Sequence, residues 1–210
     1  MNALAVDLWP GRTPTPQDSL FAILIRTTGA APEAPSAGAA SGDARPAAPS
    51  AQREAARRAI RLAAREALAA VLDVAAADIA IDSTPGTPPR ILLAGLASRI
   101  GISFSHDANY ALAAFNLQGP IGTDLMRVQD VPDWQTVARD YLGPYVASAL
   151  QTAAGRPHAF TQAWTQREAA LKCHAQQISE WQADLPGQSI PLVLPAPGLL
   201  GHIHIGDRSA

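Results

Sequence analysis

Runs and alternations of apolar residues sort this 210-residue chain into strands and helices. Leu4-Ala-Val-Asp-Leu-Trp9 reads as a strand ending at Pro10-Gly11, and residues 20–25 form an apolar run of strand length. From 27 to 51 the pattern gives way to Ala, Pro, Gly and Ser. Such a stretch cannot bury enough surface to offset its ordering entropy, and a mobile loop is expected. Residues 52–72 reverse this, with helix-forming Ala, Arg and Leu and with Ser50 as the expected N-cap. Ile60, Ala63, Ala67, Leu68 and Val71 fall on one side of that helix, and Arg53, Arg57, Arg61 and Arg65 form a stripe on the other.

Residues 78–82 alternate as a strand, 84–89 read as a turn, and an extended stretch resumes at Ile91. Ile102 and Phe104 alternate with Ser103 and Ser105, His106-Asp-Ala-Asn109 reads as a hairpin turn, and 110–117 is the returning strand. Gly119-Pro120 leads into a strand over 121–126. Helices are predicted over 134–150, interrupted at Gly143-Pro144, and over 160–181, with two short strands around 195–198. Strands and helices do not alternate regularly, so the fold class is α+β rather than a doubly wound sheet.

Composition narrows the functions. A formal charge of −2 argues against a general nucleic-acid binder. A single cysteine, Cys173, excludes a disulfide framework and a Cys-rich zinc module. No apolar run has the length of a membrane span, and the N-terminus lacks the basic-then-apolar order of a secretion signal. A soluble, cytoplasmic protein without a membrane partner is expected. Of the 16 cations, Lys172 is the one lysine, among fifteen arginines. The arginine bias fits a GC-rich genome. The exception suggests a position that needs a compact charge rather than a planar fork.

Three short constellations carry candidate chemistry. In Ser103-Phe-Ser-His-Asp107 a strand-end histidine can donate to a phosphate oxygen, although for the motif alone a turn histidine capping a carbonyl is the favoured reading. In Ile121-Gly-Thr-Asp-Leu-Met126, Asp124 and Met126 share a face, and Gly122 is expected to leave open space beside a carboxylate suited to Mg²⁺. An aspartate capping the next turn is the plainer reading. In Trp164-Thr-Gln-Arg-Glu-Ala-Ala-Leu-Lys172, Trp164, Glu168 and Lys172 lie on one side of a helix, where Glu168 and Lys172 also make an ordinary i,i+4 ion pair.

Taken in order, these motifs resemble the 4′-phosphopantetheinyl transferases, and among them the pseudo-dimeric, surfactin-synthetase-activating branch of about this length. The resemblance spans residues 52–181. It implies two similar α+β halves related by pseudo-twofold symmetry, 1–118 and 119–210, each with antiparallel strands and a long helix. It further implies a cleft binding coenzyme A and Mg²⁺, in which Asp124 and Glu168 hold the metal. His106, supported by Ser105, would contact a phosphate of coenzyme A, and Lys172 would neutralise its pyrophosphate. By the same resemblance Arg57 would be a further coenzyme A cation, and Arg90 would stand in for the lysine missing from the turn Gly86-Thr-Pro88. The implied reaction is attack by a serine of an acyl carrier protein on the β-phosphate, with Glu168 accepting the proton and 3′,5′-adenosine bisphosphate leaving; the branch acts as a monomer.

Arg167 replaces the family's lysine before the glutamate and keeps its charge, whereas three other positions depart more sharply: Met126 where a second acid is common, Thr87 for the turn lysine, and Asp107 beside the phosphate-contacting histidine. They leave room for a relative that binds coenzyme A or a carrier protein without turnover. A third reading is an interaction protein using the Arg53 to Arg65 stripe on an acidic partner. The stripe and Arg127 are also the candidate surface for an acidic carrier. His202 and His204 are expected at the surface, and Cys173 as a packing residue.

Overall fold

Apolar runs such as 20–25 form strands covered on both faces, and the whole architecture follows from what covers them. The computed structural model describes residues 3–27, 49–84, 87–107 and 109–206. Most of the 27–51 stretch and Gly86 of the turn therefore lie outside the described residues, and the first long helix starts at Pro49, so Ser50 lies within it rather than serving as its N-cap. The strands are β1 (Leu4–Ala5), β2 (Asp7–Leu8), β3 (Leu20–Arg26), β4 (Ile79–Asp82), β5 (Arg90–Leu93), β6 (Leu96–Asp107), β7 (Tyr110–Asn116), β8 (Ile121–Arg127), β9 (Gln188–Val193) and β10 (Leu199–Ile205). The helices are α1 (Pro49–Leu72), α2 (Trp134–Val137), α3 (Pro144–Thr152) and α4 (Arg156–Cys173), with a π-helical turn at Ala138–Leu142 just before Gly143.

The fold is mixed α+β, with a six-stranded sheet ordered β2-β3-β7-β6-β5-β4 and a four-stranded sheet ordered β1-β9-β10-β8. Alternation along β3 builds a core on each face of the larger sheet. Phe21, Ile23 and Ile25 pack with Ile60, Ala64 and Leu68 of α1, whereas Leu20, Ala22 and Leu24 pack with Ile121, Ile190 and Ile203 of the smaller sheet. Helix α4 covers β8 and β10. Among the described residues no helix is long and apolar enough to cross a membrane.

Three elements differ from the sequence reading. The first strand breaks at Val6: β1 pairs with β9 in the smaller sheet and β2 with β3 in the larger. The hairpin between β6 and β7 is tighter than predicted, because His106 and Asp107 are still paired strand residues, opposite Ala111 and Tyr110. The helix predicted to reach 181 stops at Cys173. Ala175 takes a left-handed φ of 55°, and the Trp181 ring packs on Gly143, where a Cβ would lie 2.7 Å from its Cε2. Tertiary packing of Trp181 thus overrides local helix propensity.

Candidate functional site

The motif around His106 is first a structural device. β6 and β8 run side by side in the same direction. Ser103 Oγ accepts the Thr123 N–H at 3.0 Å and Ser105 Oγ that of Leu125 at 3.1 Å, while Asp107 accepts that of Arg127. Residues at i, i+2 and i+4 share a strand face, so three side chains make the connections that a backbone ladder would otherwise make. This accounts for Asp107: its carboxylate is committed to the end of β8.

The same pairing fixes Asp124. Its carboxylate is buried on β8, and Oδ1 accepts hydrogen bonds from the Ser105 hydroxyl at 2.7 Å and the Lys172 ammonium at 2.6 Å. Lys172 also lies 3.6 Å from Glu168 Oε2. Helix α4 brings Glu168 and Lys172 here because it lies directly on Gly122. A Cβ at that position would fall 1.9 Å from the Ala169 carbonyl oxygen and 2.4 Å from the Cys173 nitrogen. Gly122 therefore opens no space for an ion. It admits the helix that carries the other site residues.

Two cavities meet at this cluster. One, of about 500 Å³, is lined by His106, Asp124, Met126, Trp164, Glu168 and Lys172. Met126 and Asp124 do share a face, as their spacing predicts. The other, of about 700 Å³, is lined by Arg57, Arg58 and Arg61 of α1, by Thr87 and Pro88, and by Lys172 from the far side. Phe104 and Lys172 belong to both. Arg61 donates to Ser83 Oγ at 2.7 Å and lies over the Phe104 ring at 5.6 Å, so part of the stripe is held against the cavity wall. Arg90 is exposed at the start of β5, opposite Asp82, and lines neither cavity.

The electrostatics follow from partial burial. Burial raises the Glu168 pKa and the nearby Asp124 charge adds to the rise, with Lys172 and a hydrogen bond from Trp164 opposing both. The His106 pKa is lowered, first by burial and then by Arg57, Lys172 and Arg53, against a smaller opposite effect of Asp124. An imidazole among three cations is poised beside a place where negative charge is favoured.

No cluster of three or more His, Cys, Asp or Glu suited to a metal occurs among the described residues. The donor set present is Asp124 and Glu168, and Met126 adds no oxygen. Two carboxylates that feel each other's charge on an open cleft still fit Mg²⁺, which is commonly bound by one or two carboxylates together with substrate phosphates and water.

Some residues escaped the sequence reading. Gln129 lines the smaller cavity from beyond the end of β8, where no periodic pattern marks it. His202 and His204, expected at the surface, are both buried because α4 and the 182–187 segment cover their face of β10. His202 Nδ1 meets Thr165 Oγ1 at 2.9 Å, and burial lowers its pKa to about 4. His204 pairs with Ser189 Oγ at 2.8 Å and donates from Nε2 to the Pro186 carbonyl at 3.0 Å. Thr165, one residue along from Trp164 in its motif, thus helps seat α4 on β10.

No family model matches the chain, and no curated protein matches it either.

Proposed function

We propose that the chain is a 4′-phosphopantetheinyl transferase of the pseudo-dimeric kind, moving the phosphopantetheine arm of coenzyme A to a serine of an apo acyl carrier protein. The observation that carries this reading is convergence: Ser105 and His106, Asp124, and Glu168 with Lys172 come from three separate motifs and meet on one cleft. In this reading residues 1–118 and 119–210 are the two related halves, with α1 and α4 as their long helices, and the protein acts as a cytoplasmic monomer.

Coenzyme A would lie along both cavities, its phosphates toward the cations Arg57, Arg58 and Lys172, with His106 as a hydrogen-bonding partner. Asp124 and Glu168 would hold Mg²⁺, which supplies charge neutralisation at the pyrophosphate when bound. The carrier serine oxygen forms a bond to the β-phosphorus as the bond to the 3′,5′-adenosine bisphosphate oxygen breaks. Glu168, whose pKa is raised by burial, accepts the serine proton. Most of the remaining work is alignment, as phosphoryl chemistry requires.

Met126, facing the cleft beside Asp124, favours a second reading in which the chain binds coenzyme A or a carrier protein without turnover. Incubation with Mg²⁺, coenzyme A and an apo carrier protein, followed by intact-mass spectrometry, decides between them. A carrier mass gain of one phosphopantetheine supports transfer. Coenzyme A binding without that gain supports the second reading. Absence of any binding overturns both and leaves the arginine stripe as a partner surface.

A further inference from the structure

The proposed role of Asp124 and Glu168 as divalent-cation ligands raises the question of what the same carboxylates hold before a cation arrives, and the following inference rests on that role. Both acceptor sites of Asp124 Oδ1 are taken, by the Ser105 hydroxyl at 2.7 Å and by the Lys172 ammonium at 2.6 Å. The two donors are unequal. Ser105 is buried and its oxygen also holds the Leu125 N–H, so moving it would break the join between β6 and β8. Lys172 has a third of its side chain exposed and ends a flexible stem. Its nitrogen also stands 3.6 Å from Glu168, so one ammonium serves both carboxylates. Mg²⁺ takes oxygen ligands at about 2.0–2.1 Å and would repel an ammonium sharing them.

We propose that Lys172 is an exchangeable internal counter-cation, holding Asp124 and Glu168 together in the empty cleft and releasing them to a divalent cation as substrate phosphates offer the ammonium a new partner. Its position suits the exchange, because Lys172 lines the arginine-walled cavity as well as the carboxylate one. Arginine would fit the task poorly. Its planar fork would grip a carboxylate through two bonds, whereas an ammonium is a single movable charge. That gives a physical reason for lysine at this position in a chain otherwise restricted to arginine.

The test uses Mn²⁺ alone, with free ion counted by electron paramagnetic resonance, on the full-length wild type, Lys172→Met and Asp124→Asn. Removing the competing charge is expected to tighten Mn²⁺ binding roughly tenfold in Lys172→Met, a change equivalent to about 1.4 kcal/mol. Mn²⁺ should also raise the Tm of that variant more than that of the wild type. Equal or weaker Mn²⁺ binding by a folded Lys172→Met overturns the counter-cation role while leaving the metal site intact. Should Lys172→Met fail to fold, Lys172→Gln, which keeps a donor for Asp124, makes the same comparison. Mn²⁺ binding by neither protein, or binding indifferent to Asp124→Asn, overturns the metal reading together with this inference.

Discussion

The Ser105 hydroxyl donates to Asp124 Oδ1 at 2.7 Å while the same oxygen accepts the Leu125 N–H at 3.1 Å. One buried atom therefore sets both the alignment of β8 on β6 and the orientation of the carboxylate.

Ser105→Ala leaves the Leu125 N–H and one carboxylate lone pair without a partner. A loss of about 1–3 kcal/mol is expected from urea denaturation, because buried groups stripped of a partner bear their full desolvation cost. Ser105→Thr, which keeps the hydroxyl, should recover most of it. A loss in the alanine variant below about 0.5 kcal/mol would contradict the dual role.

Glu168→Ala is expected to abolish carrier modification while changing stability by no more than about 1 kcal/mol, since its contact with Lys172 is partly solvated and 3.6 Å long. Intact-mass assay and thermal melting measure the two effects separately. Turnover near the wild-type rate would remove Glu168 from the chemistry.

Met126→Glu puts a third carboxylate on the cleft wall beside Asp124. The Mg²⁺ concentration giving half-maximal transfer should fall. An unchanged requirement would mean that position 126 does not reach the ion.

Gly122→Ala drives a methyl group into the α4 backbone, 1.9 Å from the Ala169 oxygen, where no side chain can give way. A destabilisation of about 3 kcal/mol or more is expected, with α4 displaced and transfer lost. Wild-type melting and activity together would disprove the close approach.

The buried His202 ties stability to pH. Its folded pKa of about 4 lies below the ordinary imidazole value of about 6.5, so the unfolded chain binds the proton more readily. Its contribution is complete above about pH 6.5 and is lost as pH falls toward 4, by up to about 3 kcal/mol. Burial of His106 acts in the same direction, while the raised pKa of Glu168 acts in the opposite one. The comparison must therefore be between wild type and His202→Asn, by urea midpoints from pH 4.5 to 7.5. The variant should show the shallower pH dependence in that window, and identical slopes would refute the assignment.

The elements were readable where one local signal decides them, a short apolar run in β3 and helix-forming composition with one apolar side in α1, and the grouping of Asp124, Glu168 and Lys172 was readable from motif order. Alternation told that Asp124 and Met126 share a face. It could not tell that a helix would cover Gly122 on that face, because coverage is a property of α4, more than thirty residues away. For the same reason His202 and His204 looked like a surface pair: the residues that bury them arrive only with the tertiary fold. Asp107 looked misplaced beside a phosphate contact until its partner proved to be the Arg127 amide. The end of α4 at Cys173 was hidden because its cause, Trp181 seated on Gly143, is also non-local.

In the four-stranded sheet β8 is an outermost strand, and such strands expose amides that an extended peptide from another molecule can join. Here the amides of Thr123, Leu125 and Arg127 are already claimed by Ser103, Ser105 and Asp107. The border is closed by side chains of β6 rather than by a backbone ladder. The serines and aspartate that read as part of a ligand signature therefore also act as an edge guard against strand addition and aggregation along this border.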